Sequence, residues 1–159
     1  MKTHFKDKNM NIILIGNYSD TLRYSSMLSK AYDLIKIDSD LVLSQNNIIV
    51  GKSGMQSLFE TVFHTLMLEH MQVMSFHQLK TGFVFIKYPK HKSQISAIER
   101  KFNTKMDLII DLSDGKMIND LDESDVPLLT IDNSKSSEEI GNEIRKSIVR
   151  RFMKKSVGL

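Results

Sequence analysis

A chain that grips phosphate does so with glycines, a lysine and a hydroxyl at fixed spacing, and the segment Ile12 to Arg23 begins that pattern without completing it. Ile12-Ile13-Leu14-Ile15-Gly16 reads as a strand ending on a glycine, followed by Asn17-Tyr18-Ser19-Asp20-Thr21-Leu22-Arg23 and the helix-compatible stretch Tyr24 to Tyr32. A loop of the form G-x-x-x-x-G-K-[ST] wraps phosphates in successive backbone N–H groups, reaches their outer oxygens with its lysine and holds Mg²⁺ with its hydroxyl. In that register only Gly16 is kept. Thr21 replaces the second glycine, Leu22 the lysine and Arg23 the hydroxyl. A helix N-terminus placed here would still attract an anion, with Arg23 as a substitute cation.

Other candidate chemistry is thinner. Gly51-Lys52-Ser53-Gly54 contains a GKS tripeptide, but the glycine it needs five residues earlier is Asn46, so a turn opening the following helix is the better reading. His64, His70 and His77 are spaced by six and seven, not by the four of a helical metal pair, and Glu60 with His64 supplies two ligands only. No metal site is expected. With no cysteine and no Ser-His-Asp spacing of any specificity, nucleophilic catalysis has no candidate.

The elements that must position these groups follow from the apolar pattern. With 159 residues and 41% hydrophobic content the chain suits one domain with a real core. Five nearly continuous apolar runs, Asn11–Ile15, Leu34–Ile37, Phe83–Ile86, Leu108–Leu112 and Leu128–Ile131, have the composition of strands buried on both faces of a parallel sheet. Helical patterns alternate with them, which predicts a three-layer α/β/α fold around a five-stranded parallel sheet. Leu22, Leu28, Ala31 and Tyr32 are expected to face the sheet. A long helix over Gln56 to Phe76 has Leu58, Val62 and Leu66 on one line and Phe59, Phe63, Met67, Met71 and Met74 beside it, a face broad enough for burial on more than one side or for a partner chain. Ser93 to Phe102 is a third helix. In the last, Ser136 and Glu139 form a capping box ahead of Ile140, Ile144, Ile148 and Phe152.

Net charge is +3, unevenly spread. Lys80 to Lys105 holds seven basic residues against one Glu, Asp107 to Asp125 seven acids against Lys116, and Arg145 to Lys155 six basic residues and no acid. Such basic segments are either solvated faces or contacts for RNA or an acidic protein surface; at the end of the last helix they also complement the helix dipole. Zero cysteines exclude disulfides and zinc-thiolate sites, and Met1 to Met10 lacks the apolar core of a secretory signal. No apolar run approaches the roughly 18 residues of a membrane span. An intracellular setting is expected, the cytoplasm ahead of an organelle, with no membrane contact.

The most specific segment is Gly82-Phe83-Val84-Phe85-Ile86-Lys87-Tyr88-Pro89-Lys90-His91-Lys92-Ser93-Gln94. It resembles the G-F-[IL]-L-D-G-[FY]-P-R-x-x-x-Q of the adenylate kinase family of nucleoside monophosphate kinases, with Gly82, Phe83, Tyr88, Pro89 and Gln94 in register. Ile37-Asp38-Ser39-Asp40-Leu41-Val42-Leu43 resembles that family's S-T-G-D-L-[LI]-R, sharing Asp40 and Leu41. The element order resembles the family over the whole chain. The departures fall where the resemblance puts the chemistry. Ile86 stands for the Asp that organises Mg²⁺, Lys90 for the Arg that holds the acceptor phosphate, and Leu43 for the other Arg. Asp38 stands for the hydroxyl that meets the acceptor nucleotide. No arginine lies between Arg100 and Arg145, where the family's closing lid would carry them, and Ser113 to Pro127 is only long enough for a minimal crossover. Phosphoryl transfer depends on positioning and on cations around the transferred group.

The resemblance therefore implies a pseudoenzyme: a degenerate, lid-less kinase fold acting as a structural or interaction subunit of a larger assembly of proteins, with RNA as a further partner through its basic faces. Lys87, Lys92, Arg145, Lys146, Arg150, Arg151, Lys154 and Lys155 would be the contact residues, and Gly16, Arg23, Lys90 and Gln94 a vestigial nucleotide site, Gln94 being the residue that in the family contacts the acceptor base. The second reading is a divergent nucleotide-binding module or nucleoside monophosphate kinase with residual ATP or AMP binding. No cofactor is expected, with a nucleotide trapped as a structural ligand left open.

Overall fold

The computed structural model describes residues 10–45, 56–77 and 82–156. The elements run β1 (Met10–Ile15), α1 (Tyr18–Tyr32), β2 (Ile35–Asp38), α2 (Ser39–Gln45), α3 (Gln56–His77), β3 (Gly82–Ile86), α4 (Lys92–Phe102), β4 (Leu108–Asp111), a single 3₁₀ turn (Leu121–Glu123), β5 (Leu128–Thr130) and α5 (Ser137–Ser156). The strands form one sheet in the order β2-β3-β1-β4-β5, every neighbouring pair parallel. This is the expected α/β architecture. The Gly51–Gly54 tripeptide and the Met1–Asn9 arm lie outside the described residues.

The central strands are apolar throughout because helices cover both faces of the sheet. All residues of β1, β3 and β4 are buried. On one face Phe63, Met67 and Met71 of α3 and Ile95 and Ile98 of α4 pack against Ile13, Ile37, Phe85 and Ile109. On the other, Tyr24 and Leu28 of α1 and Ile140, Ile144, Ile148 and Phe152 of α5 pack against Ile12, Leu14, Val84 and Ile110. Met67 and Met71 are thus core filler, the flexible thioether fitting irregular gaps. The neighbouring line of α3 turns outward, with Val62 46% exposed. β5 is a three-residue edge strand, its side chains largely outside the core, as a short edge should be.

One buried polar residue fixes the register at the start of the sheet. Asn11 donates from Nδ2 to the Lys105 carbonyl at 2.7 Å and to Thr104 Oγ1 at 2.8 Å. Its Oδ1 accepts the Phe83 N–H at 3.1 Å, and its own N–H donates to Asp107 Oδ2 at 2.9 Å. Gly82 is needed beside it, since a Cβ there would lie 1.9 Å from the Met10 carbonyl oxygen.

Two elements differ from expectation. α1 starts at Tyr18 rather than near Tyr24, and its buried residues are Thr21, Tyr24, Ser25 and Leu28; Ala31, expected to face the sheet, is exposed. The reason is a cap: Asn17 Oδ1 accepts the Asp20 N–H at 2.9 Å, so the helix nucleates as soon as β1 ends. α2 was not expected as a helix. Asp38 Oδ1 accepts the Asp40 N–H at 3.0 Å and opens it in the same way.

Candidate functional site

Strand order places the chemistry. The chain leaves β1 to build β2 and β3 on one side, then returns past β1 to build β4 and β5 on the other, so the switch point lies at the carboxyl ends of β3, β1 and β4. Open parallel sheets bind ligands in the crevice outside that point. A cleft of about 350 Å³ is found there, lined by Gly16, Lys87, Pro89, Lys90, Lys116, Asn119 and the apolar Leu14, Ile15, Met117 and Leu121. Gly16 and Lys90, two of the four expected site residues, line this cleft, and Lys116 joins them from the β4–β5 connection.

The phosphate loop is not formed. Gly16 and Asn17 alone join β1 to α1, a connection too short for the glycine-rich loop of the pattern to close around an anion. The first turn of the helix is occupied by its own side chains: Asn17 Nδ2 also donates to Asp20 Oδ2 at 2.9 Å, and the Asp20 carboxylate complements the positive end of the dipole. Arg23 is exposed on the second turn and does not line the cleft. A side chain at Gly16 would press on Leu112 Cβ at 3.0 Å.

On the β2 side of the crevice the polar side chains pair with one another. Tyr18 donates to Asp38 Oδ2 at 2.7 Å. That hydrogen bond, with burial and the nearby carboxylates, pushes the phenol up to about 12, so it stays a donor. Lys87 pairs with Asp40 at 2.9 Å and sits 4.9 Å from the centre of the Tyr18 ring. Lys87 takes a left-handed backbone, φ 63°, a conformation that ordinarily favours glycine.

After β3, Tyr88 is fully buried, desolvation raises its pKa, and its hydroxyl meets Nδ1 of His64 on α3. Desolvation in turn lowers the pKa of His64, so a neutral imidazole accepts the phenol proton. Gln94 is spent on structure: its Oε1 accepts the N–H groups of Lys90 at 2.7 Å and His91 at 3.2 Å, capping α4. Lys92 pairs with Glu123 at 3.1 Å and its N–H donates to Asp120 Oδ1 at 3.0 Å. The acids of the β4–β5 connection are in this way partly drawn to α4. That connection carries only the 3₁₀ turn, so it supplies no helical lid.

Asp111, at the end of β4, was not singled out from sequence. It is 1% exposed. Its Oδ1 accepts from Ser113 N–H at 2.8 Å and Ser113 Oγ at 2.5 Å, and its Oδ2 from Gly115 N–H at 2.8 Å. Ser113 Oγ then accepts the Met117 N–H at 3.1 Å. The spacing Asp-x-Ser-x-Gly is the legible signal for this turn. Among the described residues no group of three His, Cys, Asp or Glu side chains is placed to hold a metal ion.

The remaining basic residues are remote from the cleft. Arg145, Lys146 and Arg150 are exposed on α5 and Arg151 half-buried, with Arg145 bonded to Asn142 at 3.1 Å. Lys154 and Lys155 lie in the final turns of α5, their side chains outside the described residues. No described helix is long and apolar enough to cross a membrane.

The fold defined by this sheet is that of P-loop kinases. Shikimate kinase from Aquifex aeolicus superposes with a TM-score of 0.52 at 16% identity, over 87% of this chain and 96% of that one. No protein-family model matches the sequence, and no curated protein matches it.

Proposed function

We propose that the protein is a catalytically inactive member of the kinase fold, adenylate-kinase-like in its sequence pattern, which serves as an interaction subunit of a larger assembly. The observation that carries this is the two-residue connection Gly16-Asn17. A kinase of this fold needs a loop there to hold the transferred phosphates, and here the cap at Asn17 commits the Asp20 N–H to the helix. Leu22, Ile86 and Leu43 stand where the resemblance expects Lys, Asp and Arg. The left-handed Lys87 fits the adenylate-kinase-like alignment, since the family pattern has glycine at that position.

The contact surface is α5. Arg145 and Lys146, one turn before Val149, and Arg150 beside it are exposed with it, Val149 at 46%, a basic and apolar patch suited to an acidic protein surface. Purification of the native protein under mild salt, followed by mass spectrometry, tests this. A stoichiometric protein partner lost on R145E/R150E substitution is expected; a lone monomer, or capture of RNA in place of protein, overturns the assignment.

A further inference from the structure

We infer that α5 pairs with α5 of a second copy of this chain, antiparallel across a two-fold axis at the level of Ile144, so that the acids opening each helix meet the bases further along the other. This rests on the reading of α5 as the contact surface and names its partner: the acidic surface that the basic half fits is the first turn of the same helix. Ile140, Ile144, Ile148 and Phe152 are buried in the core on the sheet, which fixes the opposite face of α5 toward solvent. That face is bipolar. Glu138 and Glu139 stand in the first turn and are exposed, as are Asn142, Lys146, Val149 and Arg150 further on. The helix dipole favours such an order by itself, but two helices so ordered also present complementary charge to each other when antiparallel.

Several charges of α5 are taken within the chain, and those left over are complementary. Glu139 Oε1 accepts from Ser136 Oγ at 3.0 Å in the capping box, Glu143 pairs with Lys135 at 3.2 Å, and Arg145 donates to Asn142 Oδ1 at 3.1 Å. Glu138, Lys146 and Arg150 have no ion-pair partner among the described residues. An antiparallel register about Ile144 sets Glu138 opposite Arg150 and Asn142 opposite Lys146, and the two-fold makes each contact twice. Asn142 Oδ1 keeps a second lone pair for the lysine. Val149, 46% exposed, loses water beside these contacts. A parallel pairing would instead set Glu138 against Glu138 and Arg150 against Arg150, like charges at both ends. From Glu138 to Arg150 is about 18 Å of helix, and so short a face buries far less than the roughly 1,600 Å² of a standard interface. The pairing is therefore weak, and salt screens it.

The test is sedimentation velocity of the full chain over the micromolar range, at low and at high NaCl. A monomer–dimer equilibrium is expected, with the dimer lost at high salt. Exposed charge pairs change affinity by about threefold each. Glu138→Arg or Arg150→Glu breaks both copies of the pair and should raise the dimer Kd about tenfold, while Lys92→Ala on α4 leaves it unchanged. Mixing the two single variants should restore pairing, because each helix then offers the other the charge it lacks; a loss of folding would not be repaired in this way. A monomer that still retains a different acidic protein through α5 overturns the self-pairing and leaves the proposed function standing, and a monomer with no partner removes both. A dimer indifferent to both reversals, or a ladder of higher oligomers from head-to-tail contact, also overturns the pairing.

Discussion

Asn17 Oδ1 accepts the backbone N–H of Asp20 at 2.9 Å, and this one bond starts α1 two residues after Gly16. The Asp20 N–H, one of the groups at the helix start that could meet an anion, is committed to the cap. Replacing Asn17 by Ala removes the cap and should cost about 1 kcal/mol, lowering the thermal midpoint by roughly 3 °C. Asn17→Gly should cost only a few tenths of that unit. Differential scanning calorimetry of the two variants checks the order; equal loss in both would mean the side-chain cap contributes nothing.

The Asn11 network is the polar tie between β1, β3 and the segment entering β4. Asn11→Ala leaves the Phe83 N–H without its partner in a buried setting and the Lys105 carbonyl in a part-buried one, at about 1–3 kcal/mol, chiefly from the buried group. Urea denaturation should show a lower midpoint with an unchanged slope. A loss below about 0.5 kcal/mol would contradict the network's role in stability.

Much of this was legible in advance and some was not. The central strands were readable because Ile12, Val84, Phe85 and Ile110 lie in a sheet covered by helices on both faces, so burial selects continuous apolar runs rather than alternation; the run of β5 was also readable, though its side chains lie largely outside the core. The capping box of α5 was equally plain: Ser136 Oγ accepts the Glu139 N–H at 3.2 Å. The early start of α1 had a local signal, Asn17 with an acid three residues on, which the search for a phosphate loop overrode. Lys116 could not be placed from its acidic neighbourhood. Its place in the cleft with Lys90 depends on a parallel crossover and on a turn closed by a buried carboxylate, and neither is a local property of the sequence.

Lys87 and Asp40 form a half-exposed pair, 32% and 47% by side chain, of the kind worth about 0–1 kcal/mol. Asp40→Asn should therefore leave the unfolding free energy within about 1 kcal/mol. Urea denaturation of the two proteins checks this. A loss above about 2 kcal/mol would show that the pair contributes more than an exposed salt bridge does.

Stability should fall on mild acidification. Burial lowers the pKa of His64 and His70 on α3 below the ordinary value, so the unfolded chain binds protons first as pH drops. The native advantage is complete above the unfolded histidine value of about 6.5 and is lost as pH falls from there through the folded values. For His64 protonation also removes the acceptor of the Tyr88 hydroxyl. Thermal midpoints measured from pH 7.5 to 5 should decline, and the slope should flatten in His64→Gln/His70→Gln. A slope unaltered in that variant would assign the acid sensitivity to other groups.

The central claim is that a kinase fold here lacks the means to hold a nucleotide for transfer, and calorimetric titration with ATP, ADP and AMP, each with and without Mg²⁺, tests it most directly. The account predicts no Mg²⁺-strengthened, base-dependent binding with any of the three nucleotides. Saturable micromolar binding of Mg²⁺·ATP, tighter than ATP alone, would contradict it.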